Sequence, residues 1–206
     1  MSVFTVYLGL GFEHLLDLQG YDHILFLAGL CAAYSLRRWR ELLVLVTAFT
    51  IGHSVSLALA TLRLVEVNTS LVEFLIPVTI VATAVINLVN LRAGGGSTEH
   101  AGARAPSGAR ARHARYAAAL VFGLVHGLGF SNFLRLALGD ERNILVPLLS
   151  FNIGLELAQI LVAGAMTLLA LLVTRFLPVS QRAWTVVMSA ATGAVAAWMA
   201  AQRWPL

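Results

Sequence analysis

Apolar runs of about membrane length constrain this chain more than any other feature. A helix that crosses a bilayer needs about 20 predominantly apolar residues. The runs 21–36, 42–62, 71–91, 116–138, 144–174 and 183–202 approach or exceed that length. Of the 206 residues, 59% are hydrophobic and 12% charged, which is about half the charged share of a soluble domain. The pattern predicts an all-α polytopic membrane protein with six transmembrane helices, forming a single bundle over residues 1–206 with no separate soluble domain.

The segment 1–19 begins apolar and then carries Glu13, His14 and Asp17. Together with the first run it is too long for one straight span, and Gly20 is the natural break. We expect a short interfacial or re-entrant helix over 3–18, followed by a first span over 21–36. One long tilted helix with its polar end in water is the other reading. Residues 92–115 are rich in Gly, Ala, Ser and Arg and contain nothing that builds a core, so a flexible cytoplasmic loop is expected there. It leaves spans 1–3 on one side (21–91) and spans 4–6 on the other (116–206). Pro77 should kink the third span. The fifth run is overlong and should tilt or project from the bilayer. No removable signal peptide is expected at the N-terminus, and the lone Cys31 cannot form an internal disulfide.

All 14 basic side chains are Arg. In a soluble chain that excess would point to nucleic acid. Here the arginines lie mostly between apolar runs, so no nucleic-acid partner is expected, and headgroups and orientation account for them. Arg37, Arg38, Arg40, Arg92, Arg104, Arg110, Arg112, Arg115, Arg175 and Arg182 fall on one side; Arg63, Arg135, Arg142 and Arg203 fall on the other. The positive-inside rule then places both termini outside the cytoplasm. Three spans plus three would relate the halves by an inverted repeat.

Ionisable groups inside apolar runs are costly and need a reason. Asp22 and His23 open the first run, His53 lies within the second beside Ser54, and Glu73 sits one turn into the third. His126 lies within the fourth and Glu156 within the fifth. Each has an ordinary explanation of its own. Asp22 or Glu73 can cap a helix start, His53 can be a neutral interhelical hydrogen-bonding group, and His126 can be incidental to glycine packing. Glu13, His14 and Asp17 read as interfacial and solvated. Asn152, Glu156 and Gln159 share one helix face that should meet a cavity or a partner. Only a common site explains the set jointly. Imidazole with carboxylate favours a borderline divalent transition metal such as nickel, cobalt or zinc, and its capture should release protons. The expected ligands are Asp22, His23, His53, His126 and Glu156. Glu73, His14, Ser54, Asn152 and Gln159 stand around them or on the way in.

Three functions use such a site: a divalent-metal transporter, a membrane-embedded zinc-dependent hydrolase, and a haem carrier ligated by His53 and His126. A structural or accessory membrane subunit is a fourth. The blocks GYDHILF (20–26), AFTIGHS (48–54), FGLVHGLGF (122–130) and FNIGLELAQ (151–159) resemble the HupE/UreJ family of hydrogenase and urease accessory membrane proteins. That resemblance implies a polytopic inner-membrane permease with the bilayer and a metal ion as partners. It makes Asp22, His23, His53, His126 and Glu156 the functional positions, and some family members are linked to nickel or cobalt uptake. A homo-oligomer or metalloenzyme-maturation partners are compatible with it. The nickel-permease type carries His-Pro ahead of its Asp-His pair; here the preceding histidine is His14, without a following proline. The chain therefore resembles a less characterised branch.

Overall fold

The computed structural model describes residues 2–17, 20–93, 109–139 and 143–205. Among these residues every element is helical: α1 (Val3–Leu16), α2 (Asp22–Ala32), a 3-10 turn at Leu36–Arg38, α3 (Trp39–Thr61), α4 (Thr69–Ala93), α5 (Ala109–Leu138), α6 (Leu145–Phe176) and α7 (Gln181–Gln202). Five of them, α3 to α7, are long and apolar enough to cross a membrane. Local signals set several ends. The Ser2 and Ser180 hydroxyls cap α1 and α7, each satisfying an N–H that the helix leaves open. Gly139, with φ +54°, closes α5 in the left-handed conformation that glycine adopts without cost.

Burial runs opposite to that of a soluble protein. Thr50, His53, Ser56, Asn87, Gln159 and Ser189 are buried, whereas Leu145, Leu149, Leu157, Leu161 and Val187 are exposed. Threonines and serines turn their hydroxyls onto carbonyls of their own helix, as Thr83 does to Thr79 and Thr167 to Ala163. In hydrocarbon every polar group must find its partner within the protein, and this pattern meets that demand.

The most extensive pairings are α3 with α5, α1 with α6, and α4 with α7. Small residues set the first two, because they let helix backbones touch. A Cβ at Gly52 would collide with the Leu120 carbonyl, and one at Gly123 with the Phe49 carbonyl. On the second pair, a Cβ at Gly11 would strike the Phe151 carbonyl and one at Gly154 the Leu8 carbonyl. Helices α3 and α5 run parallel, since Gly123 meets Phe49 and His53 while Gly127 meets His53 and Ser56. Helices α4 and α7 run antiparallel: Asn87 bonds Ser189 at 3.2 Å, and the Phe74 ring meets that of Trp204 at 5.1 Å.

The N-terminal region departs from the sequence expectation. The expected first span over 21–36 is helical only over Asp22–Ala32, 11 residues, or about 16 Å at 1.5 Å per residue. Helix α1 packs on α6 with Tyr7, Gly11 and Leu15 buried, while residues 2–6 are exposed. Both short helices run in one direction beside α5, antiparallel to it. The Tyr7 hydroxyl donates to the Ala137 carbonyl, His14 meets Phe130, His23 meets His126, and Phe26 meets Phe122. The helix therefore stops after Leu16 and restarts at Asp22, in the stretch around Gly20. Part of the expected 92–115 loop is helical, since α4 extends to Ala93 and α5 begins at Ala109; residues 94–108 of that expected loop lie outside the described residues. Pro77 lies inside α4.

Candidate metal centre

The break between α1 and α2 leaves one histidine on each side of it. His14 ends α1 and His23 begins α2, with ring centroids 4.8 Å apart. Glycine contacts bring α3 and α5 close enough to add His53 and His126. His23 lies 5.8 Å from His53 and 5.1 Å from His126, and His14 lies 6.2 Å from His53. One ligand atom from each of His14, His23 and His53 lies within 4.8 Å of the other two. Nitrogens bound to one tetrahedral metal at 2.0–2.1 Å would sit about 3.3 Å apart.

The cluster's hydrogen bonds aim its lone pairs inward. His126 donates Nδ1–H to the Phe122 carbonyl at 2.8 Å, which leaves Nε2 as the free acceptor. Asp22 Oδ1 accepts the His23 backbone N–H at 2.9 Å and lies 3.1 Å from its Nδ1, so in the neutral imidazole the carboxylate favours the tautomer with the proton on Nδ1 and the lone pair on Nε2. Such a carboxylate or carbonyl behind an imidazole is how metal-ligating histidines are held. Asp22 Oδ2 lies 3.7 Å from Arg203 Nη1. Nε2 of His14, His23 and His126 and both ring nitrogens of His53 are buried without a hydrogen-bond partner. Leaving one such atom unpaired costs about 1–3 kcal/mol, and here several converge. Phe26, Phe49, Phe130 and Phe151 stand around them, and the Asn152 side chain of α6 reaches His53.

Of the residues singled out from the sequence, the structure brings Asp22, His23, His53 and His126 together, and it adds His14 to the imidazoles themselves. It does not bring Glu156 there. Glu156 accepts from the Thr47 hydroxyl at 2.7 Å, on a half-buried face of α6. Gln159, three residues on, accepts from Thr50 at 2.6 Å and is fully buried. The α6 stripe therefore meets the threonines of α3. Asn152 donates to its own Leu148 carbonyl, with its Oδ1 buried and unpartnered. Ser54 turns back to the Thr50 carbonyl at 2.7 Å. The exposed Glu73 meets the centre only indirectly, through its backbone carbonyl 3.5 Å from Arg203. The signal for His14 was present in the sequence: Gly11-x-x-His14 repeats the spacing of Gly123-x-x-His126.

An open cleft of about 870 Å³ reaches His14 and is lined also by Glu13, Asp17, Gly20, Phe130 and Phe133. Glu13 and Asp17, read from sequence as merely interfacial, thus stand at its wall. A second cavity, about 290 Å³, lies beyond Phe26 and Phe122 and is bordered by Tyr34, Asn87, Asn90 and Arg115. The Arg115 guanidinium donates to the Tyr34 hydroxyl at 2.8 Å.

The sequence profile of the family described as HupE / UreJ protein matches residues 1–204, nearly the whole chain, and the chain belongs to that family. No curated protein and no solved structure matches it.

Proposed function

We propose that this HupE/UreJ family member is an inner-membrane permease for a divalent transition metal ion such as nickel, cobalt or zinc. The observation that supports this best is the group of imidazoles from α1, α2, α3 and α5, whose Nε2 atoms are buried without a hydrogen-bond partner. Neutral nitrogen donors in an apolar cage suit a borderline metal and do not suit calcium or magnesium, which take oxygen ligands. On this reading α1 and α2 together make the sixth crossing, interrupted at the ion, as substrate-binding helices of transporters often are. Both termini then face the outside, and the arginines Arg37, Arg38 and Arg40 face the cytoplasm. The ion passes the carboxylates Glu13 and Asp17 of the cleft before meeting His14. An inside-negative potential favours inward movement by about 2.3 kcal/mol per charge per 100 mV.

A zinc-dependent hydrolase would use the same imidazoles and would add a carboxylate free to act as general base. Asp22 is the carboxylate the structure sets on these rings, and both of its oxygens are committed, one to His23 and one toward Arg203. That geometry favours transport. The test is elemental analysis of purified protein beside a His53→Ala/His126→Ala double variant, with metal flux measured for both in proteoliposomes. Wild type should carry stoichiometric metal and transport it, and the double variant should do neither. Retained metal without flux in the wild type would instead favour the hydrolase.

A further inference from the structure

Two helix pairs in this bundle are built alike. Gly52 of α3 meets the Leu120 carbonyl and Leu124 nitrogen of α5, and in return Gly123 meets the Phe49 carbonyl and His53 nitrogen. Gly154 of α6 meets the Leu8 carbonyl and Phe12 nitrogen of α1 in the same way, and in return Gly11 meets the Phe151 carbonyl. The sequences around these contacts correspond. Gly11-x-x-His14 matches Gly123-x-x-His126, and Phe49-x-Ile51-Gly52 matches Phe151-x-Ile153-Gly154. Thus α1 corresponds to α5, α3 to α6, and the α1·α6 contact is the counterpart of α5·α3. The remaining pair, α4 and α7, crosses antiparallel at Ala84 and Gly193, within Ala82-Thr83-Ala84 and Ala191-Thr192-Gly193. Gly29 of α2 faces both Thr83 and Thr192 there. Corresponding helices run antiparallel to each other in α4 with α7 and in α1–α2 with α5. The relating axis therefore crosses the helices and does not run along them, which is the arrangement of an inverted repeat.

We infer that the chain is an inverted repeat of α1–α2–α3–α4 and α5–α6–α7, and that the aromatic walls on the two sides of the imidazole cluster are symmetry-related gates that open alternately to a divalent cation. This rests on the transport reading. His53 lies between the two corresponding phenylalanines, 6.3 Å from Phe49 and 6.4 Å from Phe151, stacked on both. Phe49 packs on Phe26 at 4.7 Å, and Phe26 meets Phe122 at 6.2 Å. This wall separates the cluster from the cavity of about 290 Å³. On the other side Phe151 stacks on Phe130 at 5.1 Å beside Phe133, and there the open cleft already reaches His14. The halves differ in one respect that an exchange requires. The first is interrupted after its Gly-x-x-His, whereas α5 runs on unbroken through Gly127 and Gly129. When the halves exchange conformations, α5 takes the interruption, the Phe130–Phe151 wall closes and the Phe26–Phe49 wall opens.

Cysteine accessibility tests this. In a Cys31→Ala background, Phe133→Cys places a thiol in the cleft and Asn90→Cys places one in the inner cavity; neither position touches the imidazoles. Each variant is reacted with a membrane-impermeant maleimide in right-side-out and inverted vesicles, with and without nickel(II), and bound nickel is measured on the same samples. The two thiols should react from opposite faces. Nickel should move their rates in opposite directions, with the ratio changing about tenfold if the ion prefers one state tenfold. Nickel binding with rates that move together, or not at all, overturns the alternating gates and leaves the binding site standing. An Asn90→Cys thiol that is inert from both faces under both conditions overturns them too. Absence of nickel, cobalt and zinc binding alike, in both variants and in wild type, removes the transport reading itself, and the gates with it.

Discussion

Two polar regions lie inside this apolar bundle, and they have been settled differently. Along the α3–α6 contact, Thr47 donates to Glu156 and Thr50 to Gln159. Glu156 Oε1 and Gln159 Oε1 each have a hydroxyl from the neighbouring helix, and Gln159 Nε2 is the buried atom left open there. At the meeting of α1, α2, α3 and α5, the imidazoles face one another and phenylalanines, and their inward nitrogens have no donor. The first region resembles the interhelical hydrogen bonding found throughout membrane proteins, worth about 0.6–2 kcal/mol a contact. The second is unfavourable as it stands, and on the transport reading a cation supplies what the protein does not. Sequence alone placed both under one heading, as ionisable residues in apolar runs. The difference is one of hydrogen-bond accounting, and that separates a structural polar contact from a binding site.

Three substitutions sharpen the contrast. Asp22→Asn keeps a hydrogen-bonding group behind His23 but removes the charge that holds its tautomer. Metal affinity should fall about 10–100-fold, read by competition with a chelator, while thermal stability changes little. Thr50→Val should act the other way round. It deprives the buried Gln159 oxygen of its hydroxyl, so unfolding in detergent should become easier by about 1–3 kcal/mol, with metal stoichiometry unchanged. Glu156→Gln should do least. The amide oxygen still accepts from Thr47, so both stability and bound metal should stay close to wild type. A large loss of bound metal in Glu156→Gln would mean that the α6 stripe belongs to the ion site after all.

The long helices were legible from the apolar runs because nothing else in a chain of this composition fills about 20 residues without charge. The interruption near Gly20 was legible too. The place of α1 was not. A short apolar helix ending in Glu13, His14 and Asp17 has the same composition whether its polar end meets headgroups or a pocket, and only its contacts with α6 and α5 decide. Asp22, His23, His53 and His126, which the fold brings together, stand out in the sequence because each is conspicuous inside or beside an apolar run. Glu156 was conspicuous for the same reason, yet its partner Thr47 is an ordinary helix residue that carries no signal of its own. Shared helix faces can be read from spacing; which neighbour a face meets cannot.

The dependence of α1 on α6 bears on how the protein is made. Gly11 and Gly154 must touch for α1 to seat, yet α2, α3, α4 and α5 are all translated between them. Until the ribosome has delivered α6, α1 lacks its most extensive packing partner and His14 is not yet held in place. On the transport reading, ion binding then waits for α6, and truncation between α5 and α6 should yield an inserted but ion-incompetent product.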